Sequence, residues 1–184
     1  MNNLKSSDHF RFVEAEKKLN EMAAIYRRMH EICRLNGRKV DEAIVNDNTE
    51  SLRIIVEDIG WPTIPKVRRE ASNAAWLIAY HSNDVALQDK WLELMKACST
   101  KEVSKDCEAY LEDRVLRNHG RLQIYGTEFT VSKDGVFETY PIANPADVER
   151  RRREAGLDTL DEHFQRLRSE YPEIKPKMAE KTGT

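Results

Sequence analysis

The sequence lacks the common signatures of catalysis and of nucleotide binding. It contains no P-loop, no GxGxxG or GxSxG motif, and no HExxH or HxxxH pair that would point to a metal. No stretch approaches the ~18 apolar residues of a membrane span, and residues 1–12 contain no apolar segment of a signal peptide. We therefore expect a soluble, cytoplasmic protein that has no membrane partner.

An excess of charge of one sign is also missing. The chain has 30 Lys and Arg against 32 Asp and Glu, which gives a formal net charge of -2. Because nucleic-acid binding usually requires a clear basic excess, we expect no nucleic-acid partner. The three cysteines, Cys33, Cys98 and Cys107, contain no CxxC pair. We expect them to be small buried or half-buried side chains in a reducing compartment, with no metal site.

The composition that is present favours helices. Charged residues make up 34% of the 184 residues and apolar residues 40%, a balance typical of packed amphipathic helices. We predict a single, mainly α domain with six or seven helices and one β-hairpin. Residues 1–48 would form an N-terminal helical extension, residues 49–171 the core of the domain, and residues 172–184 a flexible tail.

The first predicted helix carries one long apolar stripe. It starts near Ser6-Ser7-Asp8, and Asn36-Gly37 ends it because both residues tolerate the left-handed cap conformation. Apolar residues recur at spacings of three and four, at Phe12, Ala15, Leu19, Met22, Ile25 or Tyr26, Met29 and Cys33. Since the stripe exceeds twenty residues, we expect this helix to contact a partner, with a homodimer as one possibility.

Four further helices are predicted before the hairpin. The third one has a small, apolar centre from Ala71 to Ala79, which is typical of a buried central helix. The second helix is predicted from Asn48 or Thr49 to Gly60 and the third from Thr63 to His81. The fourth is predicted to start after the Asp84 cap, and the fifth to run from the Ser104 cap to Gly120.

The period then changes to that of strands. Apolar and β-branched residues flank Asp134-Gly135, which is a strong hairpin signal, so we predict strands near 122–131 and 136–141. A sixth helix would run from Asn144-Pro145 to Gly156, and a last one over about 158–171. Arg150 to Arg153 form a basic run within the sixth helix, which we interpret as a solvated face.

From about Leu52 to Phe164 the chain resembles a bacterial domain family of unknown function. The pieces that carry the resemblance are Gly60-Trp61-Pro62, Ala75-Trp76-Leu77-Ile78 with Tyr80-His81, Leu111-Glu112-Asp113-Arg114-Val115, Tyr125-Gly126-Thr127-Glu128, and Arg151-Arg152 with Gly156-Leu157. The chain departs from the family pattern at Tyr80 and Glu128, where Gln is usual, and at Asn144, where Asp is usual. The resemblance implies no activity and no cofactor, and both stay unknown at this point.

Within this block we predict a polar site. His81 and Asp113 are the catalytic candidates, because histidine is the side chain whose charge changes near neutral pH and a carboxylate can orient it. The ligand-binding candidates are Trp61, Glu70, Arg114, Tyr125, Thr127 and Glu128. Glu70 and His81 are eleven positions apart on one helix, ~16 Å along its axis, so they cannot form a direct pair.

Each of these residues also has a structural interpretation. His81 could cap the carbonyls at the end of its helix. Asp113 and Arg114 could form a salt bridge that ties a helix to the hairpin. Gly126 could produce an ordinary bulge beside a core tyrosine.

Two classes of function follow. The first is a hydrolase-like enzyme or ligand-binding domain for a polar or anionic small molecule, with a pocket between the third helix, the fifth helix and the hairpin. The second is a non-catalytic interaction or dimerisation module in which the same polar residues form a structural network. Whether the protein is an enzyme stays open on the sequence alone.

Overall fold

The computed structural model describes residues 6–35, 38, 40–131 and 137–171. In these residues the chain forms a mainly α fold with one antiparallel hairpin, so the predicted fold class is confirmed. The elements are α1 (Ser6–Leu35), α2 (Glu42–Ile59), α3 (Ile64–His81), α4 (Val85–Lys96), α5 (Lys105–Asn118), β1 (Phe129–Val131), β2 (Phe137–Thr139), a 3-10 turn (Pro145–Asp147), α6 (Val148–Glu154) and α7 (Leu160–Glu170).

Contacts along the chain cluster into two compact units. We call Met1–Leu111 unit 1 and Glu112–Thr184 unit 2. The boundaries predicted at residues 48 and 171 stay a prediction. None of the helices in the described ranges combines the length and the apolarity that a bilayer crossing requires.

In unit 1 the predicted stripe of α1 packs against α3. The buried residues of α1 are Ala15, Leu19, Met22, Ala23 and Tyr26. The small residues of α3 let the two backbones approach closely, and Ala71, Ala75 and Ala79 are fully buried. The open choice in the stripe is settled in favour of Tyr26, since Ile25 is 57% exposed. The predicted first helix and its buried face are therefore confirmed.

The predicted start of the second helix is wrong. α2 begins at Glu42, about two turns before Asn48, and Asp41 caps it by accepting a hydrogen bond from the Ala43 N–H at 2.9 Å. Thr49 lies inside the helix, where its hydroxyl donates to the Val45 carbonyl at 2.8 Å. The first turns of α2 expose a polar face, so they lack the apolar periodicity that reveals a helix.

The third helix has the predicted bounds but is interrupted. Arg68 has φ 63° and ψ 168°, outside the helical region, near the start of α3. A positive φ is rare for a residue with a Cβ, and nothing in the residue type indicated it. The exposed Arg68 side chain pairs with Glu16 of α1 at 3.4 Å, which ties this kink to the neighbouring helix.

In unit 2 the hairpin is confirmed, but both strands are shorter than the predicted 122–131 and 136–141. β1 and β2 pair antiparallel with Phe129 opposite Thr139 and Val131 opposite Phe137. Residues 122–128 form no regular strand. Gln123 makes an isolated parallel bridge to Ile142, but the N–H groups of Ile124, Tyr125 and Thr127 donate to a side chain of α5. The Asp134-Gly135 turn lies outside the described residues, as do Asn36-Gly37 and the tail from residue 172.

The basic run of α6 is only partly solvated, which corrects the sequence interpretation. Arg152 is 0% exposed, whereas Arg150 and Arg153 are exposed. Arg151 is half-buried and donates to the carbonyls of Ile124 at 2.8 Å and Ala143 at 2.6 Å. A buried guanidinium is stable only when carbonyl or carboxylate oxygens accept its hydrogen bonds. The inner arginines of the run therefore bind neighbouring backbone carbonyls instead of extending fully into solvent.

Candidate functional site

A cleft of about 390 Å³ opens in unit 1 where α1 ends, α2 begins and α3 ends. The predicted catalytic residue His81 is the last residue of α3 and lies in the wall of this cleft. The residues that line it are Tyr26, His30, Cys33, Arg34, Arg38, Val40, Glu42, Val45, His81 and Asn83. The cleft therefore places His81 among side chains of the first and second helices.

Aromatic and imidazole rings are grouped around His81. Its ring centroid lies 4.8 Å from that of Tyr26 and 6.2 Å from that of His30. Tyr80 meets His81 edge to face at 4.9 Å between centroids. Contacts of this kind hold a ring in a fixed orientation. His81 is thus a half-buried imidazole fixed by neighbouring rings and accessible from the cleft.

The charged wall of the cleft contains two arginines and one glutamate. Arg34 is paired with Glu31 on the same helix at 2.9 Å. Arg38 is exposed, its guanidinium has no ion-pair partner among the described residues, and its N–H donates to the Cys33 carbonyl at 2.7 Å. This backbone bond holds the residue at the end of α1. Arg38 is the cation best placed to receive an anionic group.

A buried amide of α4 binds the carbonyls at the end of α3. The amide Nε2 of Gln88 on α4 lies 3.0 Å from the carbonyl of Ala79, 3.1 Å from that of Tyr80 and 3.0 Å from that of Ser82. Gln88 is 0% exposed. This buried amide therefore satisfies carbonyls at the end of the helix, and the interpretation of His81 as a cap stays a prediction.

In unit 2 the second catalytic candidate, Asp113, organises a turn. Its carboxylate is 0% exposed and accepts hydrogen bonds from the N–H groups of Ile124 at 2.7 Å, Tyr125 at 3.1 Å and Thr127 at 2.9 Å. The Thr127 hydroxyl donates to it at 3.0 Å. Burial raises the pKa of Asp113, and these hydrogen bonds oppose that rise. Both carboxylate oxygens therefore hold the Tyr125-Gly126-Thr127 turn in place.

A buried glutamine closes the other side of the same turn. Gln123 is 0% exposed, and its side-chain oxygen accepts from the Glu128 N–H at 2.7 Å. Its Nε2 donates to the carbonyls of Glu128 at 3.0 Å and Tyr140 at 2.8 Å. The side chain thus adds to the backbone hydrogen bonds that Gln123 and Glu128 make with residues 140–143.

Glu128 is buried between two arginines of α5. The guanidinium Nε atoms of Arg114 and Arg117 lie 3.2 Å and 3.1 Å from the same carboxylate oxygen. The Arg117 guanidinium also stands 5.3 Å above the ring of Tyr140. Arg114 and Glu128, both predicted to bind ligand, are therefore joined in one ion-pair network of unit 2.

The structure brings the predicted residues of unit 2 together and separates those of unit 1. Asp113, Tyr125 and Thr127 meet at the turn, and Arg114 pairs with Glu128. Trp61 is 3% exposed and lies between α2 and α3, so it belongs to the core of unit 1. Glu70 is exposed on α3. Neither Trp61 nor Glu70 lines the His81 cleft, and the catalytic pairing of His81 with Asp113 stays a prediction.

Sequence reasoning missed the residues that α1 contributes to the cleft. Tyr26 and His30 are four residues apart and Cys33 follows three residues later, so all three share one side of the helix. That spacing could have placed His30 at the edge of the buried stripe.

Within the described residues, no group of three or more His, Cys, Asp or Glu side chains is arranged to hold a metal ion.

Comparison with curated proteins and with solved structures gives no significant match. One protein family does match, over residues 38–176, which is more than half of the chain and includes His81 and the whole turn around Asp113. α1 lies outside the matched range. The predicted family resemblance is confirmed, and the chain belongs to the family described as "Family of unknown function (DUF6624)".

Proposed function

We propose that unit 1 binds a small molecule with an anionic oxygen group in the His81 cleft, and that the protein is a hydrolase-like enzyme in which His81 acts as general acid or base. The observation that carries the proposal is the shared lining of one cleft by the imidazoles of His81 and His30 and the guanidinium of Arg38. The cytoplasm is the expected location, where the three free cysteines stay reduced.

The dimensions of the cleft suit a small ligand. Ligand pockets generally have volumes of about 300–1,000 Å³ and combine apolar walls with a few polar groups. Here Val40, Val45 and the Tyr26 ring supply apolar surface, while Arg38 and Asn83 supply hydrogen-bond donors. An arginine binds a carboxylate or phosphate through two parallel N–H groups, which fixes the orientation of the anion.

The two imidazoles provide the proton-transfer chemistry. A general base must come within about 3 Å of the proton that it removes, directly or through one water. The ring centroids of His30 and His81 lie 6.2 Å apart, so an attacking water and the leaving-group oxygen of one bound ligand can each come within reach of one ring. One imidazole can then remove a proton from water while the other protonates a leaving group.

Calorimetric titration with inorganic phosphate and with acetate tests the binding step. We expect saturable binding of at least one of these anions by the wild type, and binding weakened about tenfold or more in Arg38→Gln and in His81→Gln. His9→Gln is the matched control, because His9 is an exposed histidine of α1 that does not line the cleft. Binding by none of the proteins, or an equal loss in the control, contradicts the proposal.

A thermal melt of the same variants separates a functional from a structural role of His81. The ring contacts of a half-buried side chain account for about 1 kcal/mol, so His81→Gln should melt close to the wild type. A collapse of the melting temperature in His81→Gln argues for a structural role.

Hydrolysis of p-nitrophenyl phosphate and of p-nitrophenyl acetate tests the catalytic step. We expect His30→Gln and His81→Gln to hydrolyse these esters more slowly than His9→Gln does.

A non-catalytic interaction module is the second candidate, and the turn of unit 2 favours it. Asp113, Thr127 and Glu128 are each less than 4% exposed and are held by hydrogen bonds or ion pairs within their own unit. A carboxylate held in this way stabilises the fold. The polar residues of unit 2 thus suit a structural network, while the cleft of unit 1 suits a ligand.

A further inference from the structure

The outer side of α1, opposite the face that packs on α3, is unusually apolar. Five of the large apolar side chains that are exposed in the described chain lie on this one helix: Phe10 at 62%, Val13 at 47%, Ile25 at 57%, Ile32 at 44% and Leu35 at 69%. Single exposed apolar residues are ordinary, but a row of them on one element marks a contact surface.

Four of these five residues, all except Ile25, belong to a continuous face with a regular order. Eight exposed positions follow one another at steps of three or four residues, and we call them the outer face: Phe10, Val13, Lys17, Glu21, Ala24, Arg28, Ile32 and Leu35. Both ends of the face are apolar and its middle is charged around a small alanine. α1 has 30 residues, so at 1.5 Å per residue it spans about 45 Å.

This order fits a second copy of the same face in the antiparallel direction. One register, centred between Met22 and Ala23, sets Phe10 opposite Leu35 and Val13 opposite Ile32 of the second copy. Both apolar ends are then covered at once. The self-complementary pairing is what a two-fold homodimer requires, because each copy offers the same patch to the other.

The charges support the same register. Arg28 of one copy comes opposite Lys17 of the other, which is a like charge but already pairs with Glu21 on its own helix at 3.9 Å. Glu14 and Glu21, three positions before and four positions after Lys17, flank Arg28 there with two carboxylates, so the local charges are attractive on balance. Side chains one helical turn apart can interact across a helix pair. A parallel, in-register pair would instead bring Arg28 against Arg28 and Glu21 against Glu21, which is repulsive.

We propose that the protein forms an antiparallel homodimer through the outer face of α1, with Arg28 of each copy between Glu14 and Glu21 of the other. The buried stripe of α1, which the sequence suggested as a contact surface, packs within unit 1 and is not this interface. The dimer does not depend on the His81 cleft, whose residues lie on the other side of α1.

Sedimentation equilibrium of the full chain tests the proposal, with a concentration-dependent dimer expected for the wild type. Ile32→Glu with Leu35→Glu should give a monomer, and Arg28→Glu should raise the dimer dissociation constant about tenfold or more, since it brings like charges together. Glu93→Arg, at an exposed position of α4, is the control that should leave the dimer unchanged. All these sites are exposed, and circular dichroism checks that the helices are retained.

A mixing experiment tests the predicted charge pairs. Arg28→Glu alone and Glu14→Arg/Glu21→Arg alone should both associate weakly, whereas an equal mixture of the two should form a heterodimer with both sets of charges matched. A wild type that stays monomeric at every concentration overturns the proposal. A dimer that Arg28→Glu leaves unchanged, or a mixture that does not associate, overturns it as well.

Discussion

At the scale of single residues, the buried carboxylate of Asp113 holds a turn through several hydrogen bonds. Three backbone N–H groups and one hydroxyl donate to it, and an asparagine has only one oxygen to accept them. We expect Asp113→Asn to lower the free energy of unfolding by about 3 kcal/mol, because its NH2 group faces backbone donors. Urea denaturation measures this loss, and Glu93→Gln, at an exposed site, should change stability by less than about 0.5 kcal/mol. Equal stability of the two variants would mean that the turn does not depend on the carboxylate.

The buried His163 of α7 should make the free energy of unfolding depend on pH. It is 3% exposed, and burial, helped by the nearby charges of Arg152 and Arg166, lowers its pKa from 6.5 to about 4. Between these two values the unfolded chain binds a proton that the folded chain does not. The free energy of unfolding should therefore fall as the pH drops through this window, by about 2 kcal/mol after allowance for solvent screening.

The pH dependence of a variant isolates this contribution. His163→Gln removes the titrating group, so its stability should decline less than that of the wild type between about pH 7 and pH 4. Urea titrations at both pH values give the difference directly. Parallel declines in the two proteins would show that His163 does not titrate differently on folding.

At the scale of elements, two glycines with the same backbone conformation provide a matched pair. Gly120 has φ 66° and Gly126 has φ 69°. A Cβ at Gly120 would meet no heavy atom within 4 Å, whereas one at Gly126 would lie 2.7 Å from Ile142 Cδ1 and 3.1 Å from Leu160 Cδ2. Gly120→Ala should cost only the strain of the left-handed conformation, about 1 kcal/mol, and Gly126→Ala about 1–3 kcal/mol more from crowding. Chemical denaturation of both variants measures their free energies of unfolding. Equal losses of stability in the two variants would count against tight packing at Gly126.

Most elements could be predicted from local signals, and the exceptions share a physical cause. Asp84 caps α4 through the Leu87 N–H as expected, and Gly60 ends α2 with φ 70°. The start of α2 was missed because its first turns are polar. The first strand was predicted too long because Asp113 and Gln123 bind the N–H groups of Ile124, Tyr125, Thr127 and Glu128. Neither side chain is close in sequence to all the groups that it binds, so local patterns cannot show these contacts.

At the scale of the whole molecule, the candidate residues divide by unit in a way that the sequence did not reveal. Asp113, Thr127 and Glu128, which belong to the predicted motifs, are all buried and polar. The spacing of residues in the sequence does not distinguish a catalytic carboxylate from a structural one. The cleft around His81 depends on Tyr26 and His30 of α1, which lie outside the range matched by the family. A site assembled from distant segments requires the tertiary structure.

An NMR titration of the histidines shows whether His81 and His30 line one ligand-binding cleft. The chain has five histidines, so each imidazole Cε1–H signal can be assigned by single substitution. At constant pH, inorganic phosphate should shift the signals of His30 and His81 together along one saturable curve. The signals of His9, His119 and His163, which do not line the cleft, should stay unchanged. Unchanged signals for His30 and His81, or equal shifts in all five histidines, would contradict the claim.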